Sequence, residues 1–238
     1  MGVTMSTECG YDRLLSLVKE RRSVRHFRPD PIPDGYVERM IELARWAPSG
    51  FHSQPWEFVV IRDRTVKDEV AAAVSTGPPA PAMKDDADHS LPRRKPGFAG
   101  APVFILLAGD WRARVQFPDK PQREREAQET AFFLSGLASA FLYLQLAAVS
   151  LGLSSQWVSN AAWGESGEAV RKILGLPEYI RTYDMMAVGY PAESPIEKKL
   201  RDVRDMIHYD ACGPEDFRTP GRLEADTREF TEWCVRAH

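Results

Sequence analysis

Arg21-Arg22-Ser23-Val24-Arg25, and a helix length later Ala47-Pro48-Ser49-Gly50-Phe51-His52-Ser53-Gln54-Pro55-Trp56, form the stretch on which the reading of this chain turns. Three guanidinium groups and a hydroxyl within five residues present many donors in fork geometry. Such a set matches the oxygens of a phosphate monoester better than those of a carboxylate. Taken alone, the cluster reads as well as a solvated basic turn at the end of an amphipathic helix. Its pairing with the second segment points instead to a phosphorylated small molecule.

Outward from these motifs, Tyr11 to Glu20 has Leu14, Leu15 and Val18 on one helical face and delivers the chain to the basic cluster. Pro29, Pro31 and Pro33 stiffen the link that follows. Asp34 is placed to cap a helix running through Arg45, with Val37, Met40, Ile41 and Ala44 on its stripe. Trp56 to Ile61, Val103 to Ala108, Ser154 to Val158 and Asp184 to Gly189 are short apolar runs that read as strands. Thr65 to Val74 reads as a helix, and Ser166 is expected to cap another that ends at Gly175. Four strands among longer helices imply an α+β domain around one sheet. The domain is expected to span residues 1–210, with residues 211–238 as a C-terminal arm. Residues 76–100, with five prolines, read as a lid-like loop.

Ala131 to Leu151 carries no charge and is long enough to span a bilayer. Ser135, Gly136, Ser139, Gln145 and Ser150 interrupt it, and its flanks carry charges of both signs. It is therefore read as a buried helix of a soluble protein, packed in the core or against a second subunit. With 238 residues, 43% of them hydrophobic, the chain can bury a sizeable core. A formal net charge of −3 gives no global pull towards nucleic acid or anionic lipid. Cys9, Cys212 and Cys234 are too far apart in sequence for a zinc or redox pair, so no metal is expected and a reducing cytoplasm is. Neither common Gly-rich nucleotide cradle is present.

From about Leu14 to Asp210 the chain resembles the nitroreductase superfamily of FMN-dependent oxidoreductases. The motifs that carry the resemblance are Arg21 to Arg25, Ala47-Pro48-Ser49 through Gln54-Pro55-Trp56, and Gly189-Tyr190-Pro191 followed by Lys199-Leu200-Arg201. The resemblance implies a nitroreductase-like fold, with a mostly antiparallel sheet flanked by helices. It also implies an intertwined homodimer with a long buried interface helix and FMN at the interface. Arg21, Ser23, Arg25 and Arg201 would surround the FMN phosphate and ribityl chain, helped by Arg22, Val24 and Lys199. Pro48, Ser49 and Gly50 would line the ring from the neighbouring subunit, and Gln54 is a further cofactor-binding residue. Trp157, Val158 and Ser159 would face its N5 and O4 edge, although Trp157 reads also as a core aromatic. From its place beside Gly50, Phe51 is expected, with the lid, to stack on or select the acceptor.

His52 stands where the family often has Asn, and the string around it is similar to the iodotyrosine deiodinase-like branch, as is the hydroxyl of Ser159. These two are the candidate catalytic side chains, although the chemistry belongs mainly to the cofactor. His52 reads equally as a residue that holds a loop carbonyl. The implied activity is ping-pong hydride transfer from NADPH or NADH to an electron-poor acceptor such as a nitroaromatic or quinone. A reductive dehalogenase, an FMN-fragmenting benzimidazole synthase and a non-catalytic flavin sensor remain as alternatives.

Overall fold

The structure, a computed structural model, describes residues 9–75, 97–195 and 197–236. The chain divides into two compact units, Met1–Glu193 and Ser194–His238. In the first, strands β1 (Trp56–Ile61), β2 (Val103–Asp110), β3 (Ser154–Val158) and β4 (Ile180–Gly189) form one sheet in the order β1-β2-β4-β3, every pair antiparallel. Helices α1 (Gly10–Glu20), α2 (Tyr36–Ala44), α3 (Arg64–Ser75), α4 (Gln122–Ser150) and α5 (Gly164–Ile173) accompany it. The second unit carries α6 (Pro220–Arg236). The expected α+β class with an antiparallel sheet is what the structure shows.

The two inner strands have no polar face, because both sides of the sheet are covered. On one side Ile105, Leu107, Met186 and Val188 pack against Met40 and Ala44 of α2 and Leu137, Phe141 and Leu144 of α4. On the other, Phe104, Leu106, Met185 and Ala187 meet Val70 and Val74 of α3, Val170 of α5 and Phe98. Burial on both faces explains why β2 and the second half of β4 read as continuous apolar runs rather than as alternating patterns. At about 25 cal/mol per Å² of apolar surface, each large side chain among these stabilises the fold by about 2–3 kcal/mol.

Several element ends differ from expectation. Gly35, at φ +80°, and not Asp34, occupies the N-cap of α2. Ser166 lies inside α5 and is buried, with Trp163 at the cap. The long helix begins at Gln122, well before its uncharged stretch. Its first turns are exposed and charged, so they carry no apolar period. By length and composition α4 is apolar enough to cross a membrane, yet half of that apolar window is buried inside the protein. The expected lid lies outside the described residues up to 96. Gly97–Gly100 form a short 3-10 turn that seats Phe98 on Phe104, ring centroids 5.7 Å apart.

Candidate functional site

The basic cluster becomes an extra strand-like segment beside β3. Ser23 pairs with Ser155 in parallel, and the Val24 N–H donates to the Ser155 carbonyl at 3.0 Å. Val24 is buried in the core, which leaves its neighbours on the segment's outer face. Further along, Arg28 N–H donates to the Tyr190 carbonyl at 2.9 Å and Ala192 N–H to the His26 carbonyl at 2.9 Å. The segment is thus fixed both to the edge of the sheet and to the end of β4.

Arg21 and Arg22 are half-buried, and neither has a carboxylate partner among the described residues. Burial, and then the Arg22 charge beside it, lower the Arg21 pKa below its ordinary value. Both effects act against the cation, so an anion placed there would relieve both. The buried hydroxyl of Ser155 and the carbonyl oxygen of the Gln156 side chain also lack partners among the described residues. Ser155 is the residue paired with Ser23 and shares a strand face with Trp157, whereas Gln156 points to the opposite face. An orphaned hydroxyl in a structured edge marks a binding site better than a packing fault.

The second motif forms a strained loop ahead of β1. Phe51, His52 and Gln54 all have positive φ, at 51°, 56° and 44°. Left-handed backbone costs a non-glycine residue about 1–2 kcal/mol, and such residues cluster at functional sites. Gln54 N–H donates to Ser49 Oγ at 3.0 Å, which closes the loop from within. The loop is pressed onto α4, where a Cβ on Gly50 would fall 2.5 Å from Phe132 Cδ1 and one on Gly136 would fall 3.2 Å from Ser49 Cβ. Phe51 is 77% exposed yet joins an aromatic group with Phe132 at 6.1 Å and Phe117 at 6.4 Å. The His52 imidazole is exposed and makes no hydrogen bond to the described residues.

At the far end of β3, Ser159 is exposed and Val158 buried. Trp157 is 40% exposed, stacks obliquely on Phe141 at 4.5 Å and donates its indole N–H to Asp184 Oδ2 at 2.6 Å. Asp184 is only 6% exposed, and its second oxygen has no partner among the described residues. Burial pushes its pKa up to about 6, against a smaller lowering by the Trp157 hydrogen bond. Nothing in the sequence pattern flagged Asp184 beyond its being a lone acid opening an apolar run.

The structure brings Arg21 to Arg25 together with Trp157 to Ser159, but not with Pro48 to Gln54. The first set lies at the β3 edge and the second precedes β1, at the opposite edge of a four-stranded sheet. At about 4.8 Å per strand that places them roughly 14 Å apart or more within one chain. Lys199 and Arg201 belong to the second unit, where Lys199 pairs with Glu229 and Arg201 donates to the Asp205 carbonyl. Phe117 and Phe132 are the side chains beside Phe51 that sequence reasoning missed. The unbroken apolar run hid Phe132, and Phe117 stands alone among polar residues.

Comparison with known proteins follows the same lines. The Nitroreductase family model matches residues 18–190. A curated NADH dehydrogenase of Thermus thermophilus is 32% identical over 184 residues, covering 73% of this chain and 84% of that protein. An iodotyrosine deiodinase of Haliscomenobacter hydrossis is 30% identical over 190 residues, covering 76% and 80%. Among solved structures, oxidised iodotyrosine deiodinase bound to FMN and 3-iodo-L-tyrosine superposes with a TM-score of 0.64 at 21% identity, over 84% of this chain and all of that one.

Proposed function

The chain belongs to the nitroreductase family and is an oxidoreductase; from that premise we propose that it binds FMN and uses NADH or NADPH to reduce an electron-poor small organic acceptor. The observation that carries the reading is the half-buried Arg21–Arg22 pair, without a carboxylate partner among the described residues, fixed beside β3 next to the Ser155 hydroxyl, which has no partner among them either. These residues fit the group: guanidinium forks and the Ser23 hydroxyl suit the phosphate, and the orphaned Ser155 hydroxyl, on the same face of β3 as Trp157, suits the hydroxyl-rich ribityl chain. When bound, FMN supplies the electron transfer between nicotinamide and acceptor.

The protein's own part is position and cover. Arg21, Arg22, Ser23 and Arg25 hold the phosphate, and Trp157, held at its indole N–H by Asp184, gives the ring pocket a fixed wall. Ser159 presents an exposed hydroxyl at the end of that wall. Pro48, Ser49 and Gly50 act from a second copy of the chain, since one chain keeps the two motifs at opposite edges of the sheet. The faces such a copy would cover are apolar and exposed: Tyr11, Leu14 and Val18 on α1, and Leu134 and Leu142 on α4. Water excluded by that contact strengthens the electrostatic hold on the bound groups.

The test is the visible spectrum of the purified protein under anaerobic conditions, before and after NADPH and then NADH. A yellow protein that bleaches supports the reading. A colourless protein that takes up no added FMN refutes it. The likeness to an iodotyrosine deiodinase at 30% identity favours reductive dehalogenation as a second reading. Halide release from a halophenol under reducing conditions would establish it.

A further inference from the structure

A second cationic pocket lies away from the Arg21–Arg25 segment, where β2 ends and β4 begins. It encloses about 500 Å³, within the range of small-molecule sites. Its framework is Trp111, whose ring sits edge-to-face on Phe133 at 5.0 Å, with the Arg181 guanidinium 3.4 Å from the ring centroid and that of Arg114 4.9 Å away. Arg125 completes the lining cations, and Glu126 and Glu129 are the acids.

The donors are not equally occupied. Buried Glu129 accepts from Arg114 Nε at 3.0 Å and from the Phe117 N–H at 3.2 Å, and these bonds, with the Arg114 and Arg125 charges, hold its pKa below the usual carboxylate value. Arg114 also donates to the Trp111 carbonyl at 3.1 Å, so this pair satisfies itself. Glu126 accepts from Gln122 at 2.9 Å. Arg181 has no carboxylate partner among the described residues, and Arg125, whose charge acts on Glu129, makes no ion pair with any of them. Burial, and then the facing Arg114 charge, lower the Arg181 pKa. Stacking on Trp111 fixes the Arg181 plane, which leaves its N–H edge pre-set to receive two oxygens.

We propose that this pocket binds the carboxylate of a small aromatic acid, so that the acceptor of the oxidoreductase is an organic anion. The pocket wall runs through Gln116 and Pro118 on either side of Phe117, which belongs to the aromatic group with Phe51 and Phe132. A ligand with its carboxylate on Arg181 and Arg125 lays its ring towards that group. The assignment of the ligand as acceptor rests on the oxidoreductase reading above; the binding of the anion does not.

The experiment is calorimetric titration of FMN-loaded protein with 4-nitrobenzoate and with the uncharged isostere 4-nitrobenzamide. One bidentate charge-assisted contact predicts that the anion binds about tenfold tighter or more, and that raised ionic strength erodes the difference. Arg181→Gln removes the preference and retains bound flavin; Arg125→Gln weakens it independently, which covers the case of an unfolded Arg181 variant. Equal affinity for both ligands in the unmodified protein, or an anion preference that survives both substitutions, overturns the proposal. Failure of NADH and NADPH to bleach the flavin would remove the acceptor role alone and leave the calorimetric preference standing.

Discussion

Replacing Asp184 with Asn should flatten the pH dependence of stability. The carboxyl is 6% exposed, its only described hydrogen bond comes from Trp157, and its pKa stands near 6 against an ordinary 3.8. Because the folded state holds this proton more tightly than the unfolded chain does, the group's contribution is fully present below 3.8. It falls as pH rises and is lost once pH passes about 6. At about 1.4 kcal/mol per tenfold change in proton affinity, ionised Asp184 costs the fold about 3 kcal/mol relative to the protonated form at neutral pH. Between pH 5 and pH 8, the window least disturbed by other carboxylates, about 1.4 kcal/mol of that is lost. Asn keeps an oxygen for the Trp157 indole and never ionises. Urea denaturation at fixed protein concentration, at both pH values, should therefore show Asp184→Asn losing about 1.4 kcal/mol less than the unmodified protein on going to pH 8. The indole beside the carboxyl gives a second readout, a fluorescence titration near pH 6 that vanishes in the variant. Parallel pH profiles for the two proteins would refute the reasoning, since Asp184 would then ionise without penalty.

Arg21→Gln should weaken FMN binding by about tenfold or more, since a hydrogen bond to a charged group contributes about 1.5–3 kcal/mol; flavin fluorescence quenching measures it, and an unchanged dissociation constant removes Arg21 from the grip. Leu142→Glu places a charge on the exposed apolar face of α4, where Leu142 is 45% exposed. Sedimentation should show monomers that have lost flavin, and an intact yellow dimer would move the interface elsewhere. Phe51→Ala should lower kcat/KM for aromatic acceptors by about two- to tenfold, the worth of one aromatic contact, while flavin stays bound. Gly189→Ala directs a Cβ to 2.5 Å from Pro102 Cδ and 3.0 Å from Cγ. A proline ring cannot swing aside, so overpacking should cost about 1–3 kcal/mol, or about 2–4 °C of melting temperature per kcal/mol.

What the sequence made legible is what is local. Trp56–Ile61 was bounded correctly because its aromatic and β-branched run lies between Pro55 and Arg62-Asp63, and Ser154–Val158, where only Trp157 and Val158 are of that kind, because Gly152 and Ser159-Asn160 frame it. The Arg21–Arg25 cluster and the Ser49–Gln54 loop were visible as residue chemistry, and the structure adds their separation across the sheet. What stayed hidden depends on register. The pairing of β2 with β4 slips between Leu107 and Ala108: Leu107 faces Asp184, but Ala108 faces Thr182, leaving Tyr183 as the extra residue. A one-residue slip turns every later side chain to the other face of the sheet. With the bulge, Arg181 lies opposite Gly109, on the side where a Cβ at 109 would meet Phe133 and where Trp111 packs on that same ring. Without it, Arg181 would oppose Asp110 and point away from Trp111. The bulge also ends the regular pairing beside Asp184, the buried acid that holds Trp157. One irregularity in one strand pair therefore builds the pocket around Trp111 and adjoins the Asp184–Trp157 contact, and no residue type in β2 or β4 announces it.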